Sequence, residues 1–153
     1  MTSTELFVSL KVPDNVAKTA FHTLKRIGYK ELKKLERQDY YKFDYSGDKK
    51  NFENKISQVD ILINANKHKF SFSLEKNEGR LKKINVLVQN LDNGAGLLKT
   101  LRERLGFKNI KNLEKGVLWS MYLHDITGAE NIAVDITKNL LMNENYQKFR
   151  IIE

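Results

Sequence analysis

Arg26-Ile-Gly-Tyr-Lys-Glu-Leu-Lys-Lys-Leu-Glu36 returns 78 residues later as Arg104-Leu-Gly-Phe-Lys-Asn-Ile-Lys-Asn-Leu-Glu114, with six of 11 positions identical. Three more are conservative exchanges: Ile27/Leu105, Tyr29/Phe107 and Leu32/Ile110. A second block, Ile61-Leu-Ile-Asn-Ala-Asn-Lys-His-Lys-Phe70, returns 79 residues later as Leu140-Leu-Met-Asn-Glu-Asn-Tyr-Gln-Lys-Phe149, with five of ten identical. Chance gives about one match or fewer per block at ordinary composition. The chain therefore reads as a tandem duplication, with one insertion or deletion between the blocks. The charged stretch Glu75–Lys83 holds the junction, and the units are assigned as 1–76, a linker 77–82, and 83–153.

Each copy can be read against the other. Leu6, Val8, Leu10 and Val12 alternate on one face of a first strand, and Ile84, Val86 and Val88 are their counterparts. A helix follows, with Asp14 or Asn15 as its cap and an apolar stripe of Val16, Ala17, Ala20, Phe21, Leu24 and Ile27. Gly28 is placed to end it. In the second copy the cap is Asp92 or Asn93, the stripe is Leu97, Leu98, Leu101 and Leu105, and Gly106 is the stop. Two strands are predicted next, near Glu31–Glu36 and Tyr40–Tyr45, the second with Tyr41, Phe43 and Tyr45 on one face, matched by Trp119, Met121 and Leu123. A second helix begins at Asp48 in copy one, and at a capping box, Thr127-Gly-Ala-Glu130, in copy two. Its apolar residues are Phe52, Ile56, Val59 and Ile63, then Ala129, Ile132, Ile136 and Leu140. A last strand carries Phe70, Phe72 and Leu74, or Phe149 and Ile151.

The order is βαββαβ in each copy, so the fold class is α+β: two tandem ferredoxin-like repeats. About 70 residues make a marginal core alone, so the copies are expected to pair within the chain as a pseudo-dimer, with further self-association open. Helices cover one sheet face. The other is expected to be open, presenting Phe7, Ser9 and Lys11 from one copy and Leu87 and Gln89 from the other as the candidate partner interface.

Function classes are narrowed by what is absent. There is no cysteine, which excludes a disulfide framework, a thiolate metal site and a cysteine nucleophile. No apolar run is long enough to span a bilayer, Met1–Lys11 does not read as a secretory signal, and a cytoplasmic location is expected. The net charge of +8 is spread evenly, with 15 basic and 11 acidic groups in residues 1–78 and 12 and 8 in 79–153, which suits a solvated lysine-rich surface. His22, His68 and His124 lie outside metal-ligand spacings and read as surface or partly buried histidines. Neither a phosphate-binding glycine loop nor a nucleophile elbow is present, and Gly94-Ala-Gly96 reads as a turn into a helix. Asp39-Tyr-Tyr-Lys-Phe-Asp-Tyr45 lacks the basic-Gly-aromatic pattern of an RNA-stacking strand, so its aromatics are assigned to packing. No catalytic, cofactor-binding or metal residue is assigned.

Phe7-Val-Ser-Leu-Lys11, Leu91-Asp92 and the stretch from Leu140 to Ile151 together resemble the PurS family, the small subunit of phosphoribosylformylglycinamidine synthase. Phe7-Val-Ser-Leu-Lys11 resembles its opening strand, and Leu91-Asp92 before a glycine-containing turn is similar to its Leu-Asp-Pro-x-Gly segment. Leu140-Leu-Met-Asn-Glu-Asn-Tyr-Gln-Lys-Phe-Arg-Ile151 resembles its Leu-Leu-Ala-Asn-Pro-x-x-Glu-x-Tyr ending. The family has one repeat per chain and forms a homodimer, whereas here there are two, and Asn93 and Glu144 stand where the family has proline. The resemblance implies a non-catalytic subunit in de novo purine biosynthesis that bridges a PurL-like synthetase and a PurQ-like glutaminase and assists ammonia transfer. ATP and Mg would then belong to the synthetase partner, with no cofactor in this chain. Two other readings stay open: a basic nucleic-acid-binding protein, and a paired-domain module that binds a small regulatory molecule.

Overall fold

The computed structural model describes residues 1–77, 79–92, 94–124 and 127–152. Asn93, one of the two expected caps, and Glu78 in the expected linker lie outside them. The described elements are β1 (Thr2–Leu10), α1 (Asn15–Arg26), β2 (Leu32–Tyr45), α2 (Lys49–Ile56), β3 (His68–Ser71), β4 (Lys82–Asn90), α3 (Ala95–Glu103), β5 (Ile110–Leu123), α4 (Ala129–Ile136) and β6 (Gln147–Ile152). A π-turn, Thr137–Leu141, extends α4. The class is α+β, with one antiparallel sheet ordered β3-β1-β2-β5-β4-β6.

The expected pair of strands at 31–36 and 40–45 is one continuous strand of 14 residues, and its counterpart β5 is equally long. Each half therefore runs β-α-β-α-β rather than βαββαβ along the chain. The sequence suggested a break because Arg37, Gln38 and Asp39 interrupt the apolar pattern. The strand continues through them because β5 pairs with all of it, from Leu32↔Leu123 to Tyr45↔Ile110. A ladder of main-chain bonds overrides a locally polar run.

Local chemistry explains the ends of several elements. The Asp14 carboxylate accepts from the Val16 and Ala17 amides and starts α1, and Asp48 accepts from Asn51 and starts α2. Gly28 and Gly106 adopt φ of 114° and 81° after α1 and α3. The two caps of the second half differ from expectation. Gly94, not Asp92, caps α3, and Gly128 caps α4 in place of the Thr127 capping box; both have left-handed φ and neither supplies a side-chain acceptor. The turn before β3 recurs before β6. Asn64 Oδ1 accepts from Asn66 N, and Asn143 Oδ1 from Asn145 N, each at 3.0 Å. His68 Nδ1 accepts from Asn64 N, and Gln147 Oε1 from Asn143 N, each at 2.9 Å. His68 thus has a local structural partner.

The helix side of the sheet carries two apolar clusters, and each draws on both halves. One gathers Leu6, Val8, Phe43, Tyr45, Phe52 and Ile56 with Leu101, Phe107, Ile110 and Leu113. The other gathers Ala17, Leu24, Leu32 and Leu35 with Val86, Trp119, Met121, Ala133 and Ile136. So α1 shares its cluster with the second half's β4 and β5 as well as with β2, and α3 shares its own with the first half's β1 and β2 as well as with β5. The expected stripes are partly realised: Val16 and Ile27 of the α1 stripe, and Leu105 of the α3 stripe, are exposed.

Gly116 sits at the middle of β5, paired with Tyr40. A Cβ there would lie 2.7 Å from the Val88 carbonyl oxygen and 2.9 Å from Gln89 Cγ and Leu87 Cδ1. Backbone cannot yield as a flexible side chain can. Gly116→Ala is expected to cost about 1–3 kcal/mol, read as a lower urea midpoint at unchanged m-value; an unaltered midpoint would show that the sheet relaxes there.

Candidate functional site

The sheet face away from the helices is not open. β3 lies at one edge and β4 is fifth in order, so the chain between them must cross β1, β2 and β5. It crosses on the helix-free side. Leu74 packs against a third cluster of Phe7, Tyr40, Leu87 and Leu118, joined by Ile152 from β6. Lys83 Nζ donates to the Glu75 carbonyl at 3.3 Å, and Asn77 Nδ2 to the Leu81 carbonyl at 2.6 Å. The expected interface residues are therefore unequal. Phe7, Leu87 and Gln89 are 3%, 0% and 2% exposed, Ser9 is half-buried, and Lys11 is exposed with its Nζ donating to the Ala65 carbonyl. The expectation of an open face is corrected: Phe7, Tyr40, Leu87 and Leu118 on this face are buried by the chain itself, under Leu74 of the crossing segment and Ile152.

Several polar groups on this face are paired. Tyr40 Oη donates to Glu5 Oε2 at 2.7 Å, Tyr122 Oη to Glu36 Oε1 at 2.8 Å, and Ser120 Oγ to Asn85 Oδ1 at 2.7 Å. Burial, then the adjoining carboxylate, raises the Tyr40 and Tyr122 phenols well above the usual tyrosine range. On the helix face burial pushes the Tyr41 phenol up to about 12, with Asp39 adding to it. All three phenols are neutral near neutral pH, and those of Tyr40 and Tyr122 act as hydrogen-bond donors, not as bases.

The surface is concave where β1 ends. The β1–β2 ladder stops at Val8↔Asp39, while β2 runs on to Leu32. Beside that free stretch lies a cavity of about 510 Å³. Its wall includes Lys33, Lys34, Leu35, Glu36, Arg37 and Gln38, six consecutive residues. A sheet face would contribute alternate residues, so the cavity lies along the strand's edge. Asp14 and Arg37 close part of it: Arg37 Nε and Nη2 donate to the two Asp14 oxygens at 2.8 and 3.2 Å, while the guanidinium lies 6.0 Å from the Trp119 ring centre. The Gln38 Oε1 atom is buried there and has no hydrogen-bond partner.

The other half differs at the corresponding step. One step past Val88↔Val117, Gln89 reaches over Gly116 and its Nε2 donates to the Lys115 carbonyl at 3.3 Å. One step past Val8↔Asp39 the residues are Ser9 and Gln38. Serine ends at Oγ and cannot span the same gap, and a glutamine occupies the place of the glycine. Of the residues singled out from the sequence as an interface, Phe7 and Ser9 border this cavity. Arg37, Gln38, Lys69 and Phe70 were missed, because their convergence depends on strand register, which composition and periodicity do not carry.

Among the described residues no group of three or more His, Asp or Glu could hold a metal ion, and no helix is long and apolar enough to cross a membrane. No protein-family model matches the sequence, and a comparison with curated proteins gives no match.

Proposed function

We propose that the chain is a duplicated PurS-like bridging subunit, in which two ferredoxin-like units have exchanged a helix and half a strand. The pairing register supports the duplication. Asp39 pairs with Val117, 78 residues on, and each β2–β5 pair maps onto another under the same shift: Tyr41↔Lys115 becomes Arg37↔Trp119. A pseudo-two-fold axis therefore passes between Asp39 and Val117. The turns at Asn64 and Asn143 repeat it at a shift of 79.

The ferredoxin-like count is recovered across the halves. Around the second cluster stand β4, then α1 with the first part of β2, then the last part of β5, α4 and β6. Read in that order the unit is βαββαβ, and in the sheet it lies β6-β4-β5-β2, fourth-first-third-second. The first cluster is its mirror in composition, with α3 and the first part of β5 supplied by the second half. A single chain of this kind would replace the homodimer of the family.

The synthase assignment rests on the sequence resemblance at Phe7–Lys11, Leu91-Asp92 and Leu140–Ile151. In that role the chain bridges synthetase and glutaminase and brings no reacting group of its own. Shielding ammonia from water keeps it unprotonated and nucleophilic, which is the physical reason for such a bridge. Tagged protein purified from its own cells with glutamine and ADP present is expected to bring down a synthetase and a glutaminase, identified by mass. Recovery of nucleic acid alone, with a steep salt dependence, would overturn the assignment in favour of the basic-surface reading.

A further inference from the structure

We infer that the free edge of β2 at Lys33–Gln38 is a docking site for an extended peptide strand of alternating apolar and acidic residues. This does not depend on the synthase assignment. Four observations converge on it. Among the described residues no strand pairs with that side of 33–38, since β1 reaches only Asp39. Alternate residues of an edge strand aim their N–H and C=O groups outward, so a row of donors and acceptors faces the cavity. The corresponding place in the other half is filled by Gln89, whereas here Gln38 Oε1 is left buried without a donor.

The cavity passes the edge onto both faces of the sheet, and the two sides differ in character. On the helix side it meets Leu10, Val12, Ala17, Phe21, Leu35 and Phe70, of which Val12 and Phe70 are unusually exposed for apolar residues. On the other side it meets Lys34, Lys69, Lys83, Ser71 and Ser73. A strand laid against β2 turns successive side chains to opposite faces, so one set would enter the apolar side and the other the cationic side. The charge selects acidic residues: on the side away from the helices Lys34, Lys69 and Lys83 stand against Glu36 and Glu75, and on the helix side Lys18 and Arg37 stand against Asp14. Of those three carboxylates, Asp14 is held by Arg37, and Glu36 by Tyr122, with Lys34 3.7 Å away.

The probe is a capped synthetic peptide of about seven residues alternating valine and glutamate, long enough to cover the free edge. Amide exchange of the labelled full-length protein should show new protection confined to 33–38. A valine-lysine peptide, and the protein variant combining Lys34→Glu with Lys69→Glu, should each weaken binding by roughly tenfold or more. A valine-glutamate peptide methylated on the amides facing β2 keeps its side chains and charge and should lose binding; this control needs no altered protein. Equal binding of the methylated peptide, binding without protection at 33–38, or no binding at about 1 mM would overturn the proposal. Glutarate displacing the peptide while leaving those amides unprotected would instead mark a small-anion site, and would overturn it too.

Discussion

Residues 1–77 and 80–153, made as separate fragments, are each expected to be unfolded as monomers and to recover the native spectrum only when mixed. The reason lies in the clusters. Removing the second half takes Leu101, Phe107, Ile110 and Leu113 from the first cluster and leaves α1 with Leu32 and Leu35 but without Val86, Trp119, Met121 and Ile136. It also strips β5 from the full length of β2. Losing several fully buried side chains at about 1.5–3 kcal/mol each exceeds the roughly 5–15 kcal/mol that holds a domain together. Circular dichroism and size exclusion on each fragment, then on the mixture, make the test. A monomeric 1–77 fragment with native dispersion in its amide spectrum would refute the shared cores and restore two independent domains.

Ile136→Asp should unfold the protein, while Leu140→Asp should leave it nearly intact. Both residues belong to one apolar stripe by spacing, and from the sequence both are expected in the core. Ile136 is 0% exposed and sits in the second cluster, whereas Leu140 is 39% exposed. The π-turn at Thr137–Leu141 separates them: the wider turn rotates the stripe so that Leu141, not Leu140, packs against the cluster. An unpaired carboxylate at 136 costs several kcal/mol, comparable with the whole stability, and at 140 about 1 kcal/mol or less. Urea denaturation of the two variants separates the outcomes. Similar losses for both would mean that the helix does not turn there as described.

Much of the local structure was legible in the residues. Asp14 and Asp48 were readable as caps, Gly28 and Gly106 as helix stops, and Leu24, Leu101, Phe52 and Ile56 as buried faces, because these depend on neighbours a few positions away. The duplicated blocks foretold that Asn64 and Asn143 would stand in the same setting, and they form the same turn. The caps at Gly94 and Gly128 were misread because a left-handed glycine can begin a helix without a side-chain acceptor, and composition does not distinguish the two devices.

The sequence by itself determined the α+β class, the four helices and the strands that flank them, and several of the caps and stops, since helix period, strand alternation and turn residues are short-range properties. Only the tertiary structure decided that β2 runs unbroken through Arg37-Gln38-Asp39, that α1 shares its cluster with the other half's strands as well as with β2, and that Leu74 and Ile152 pack over Phe7, Leu87 and Tyr40. The notch beside Ser9 and Gln38 belongs with these. It exists because one strand of a pair ends before its neighbour does, and where two strands part is set by contacts dozens of residues apart along the chain, which no local pattern records.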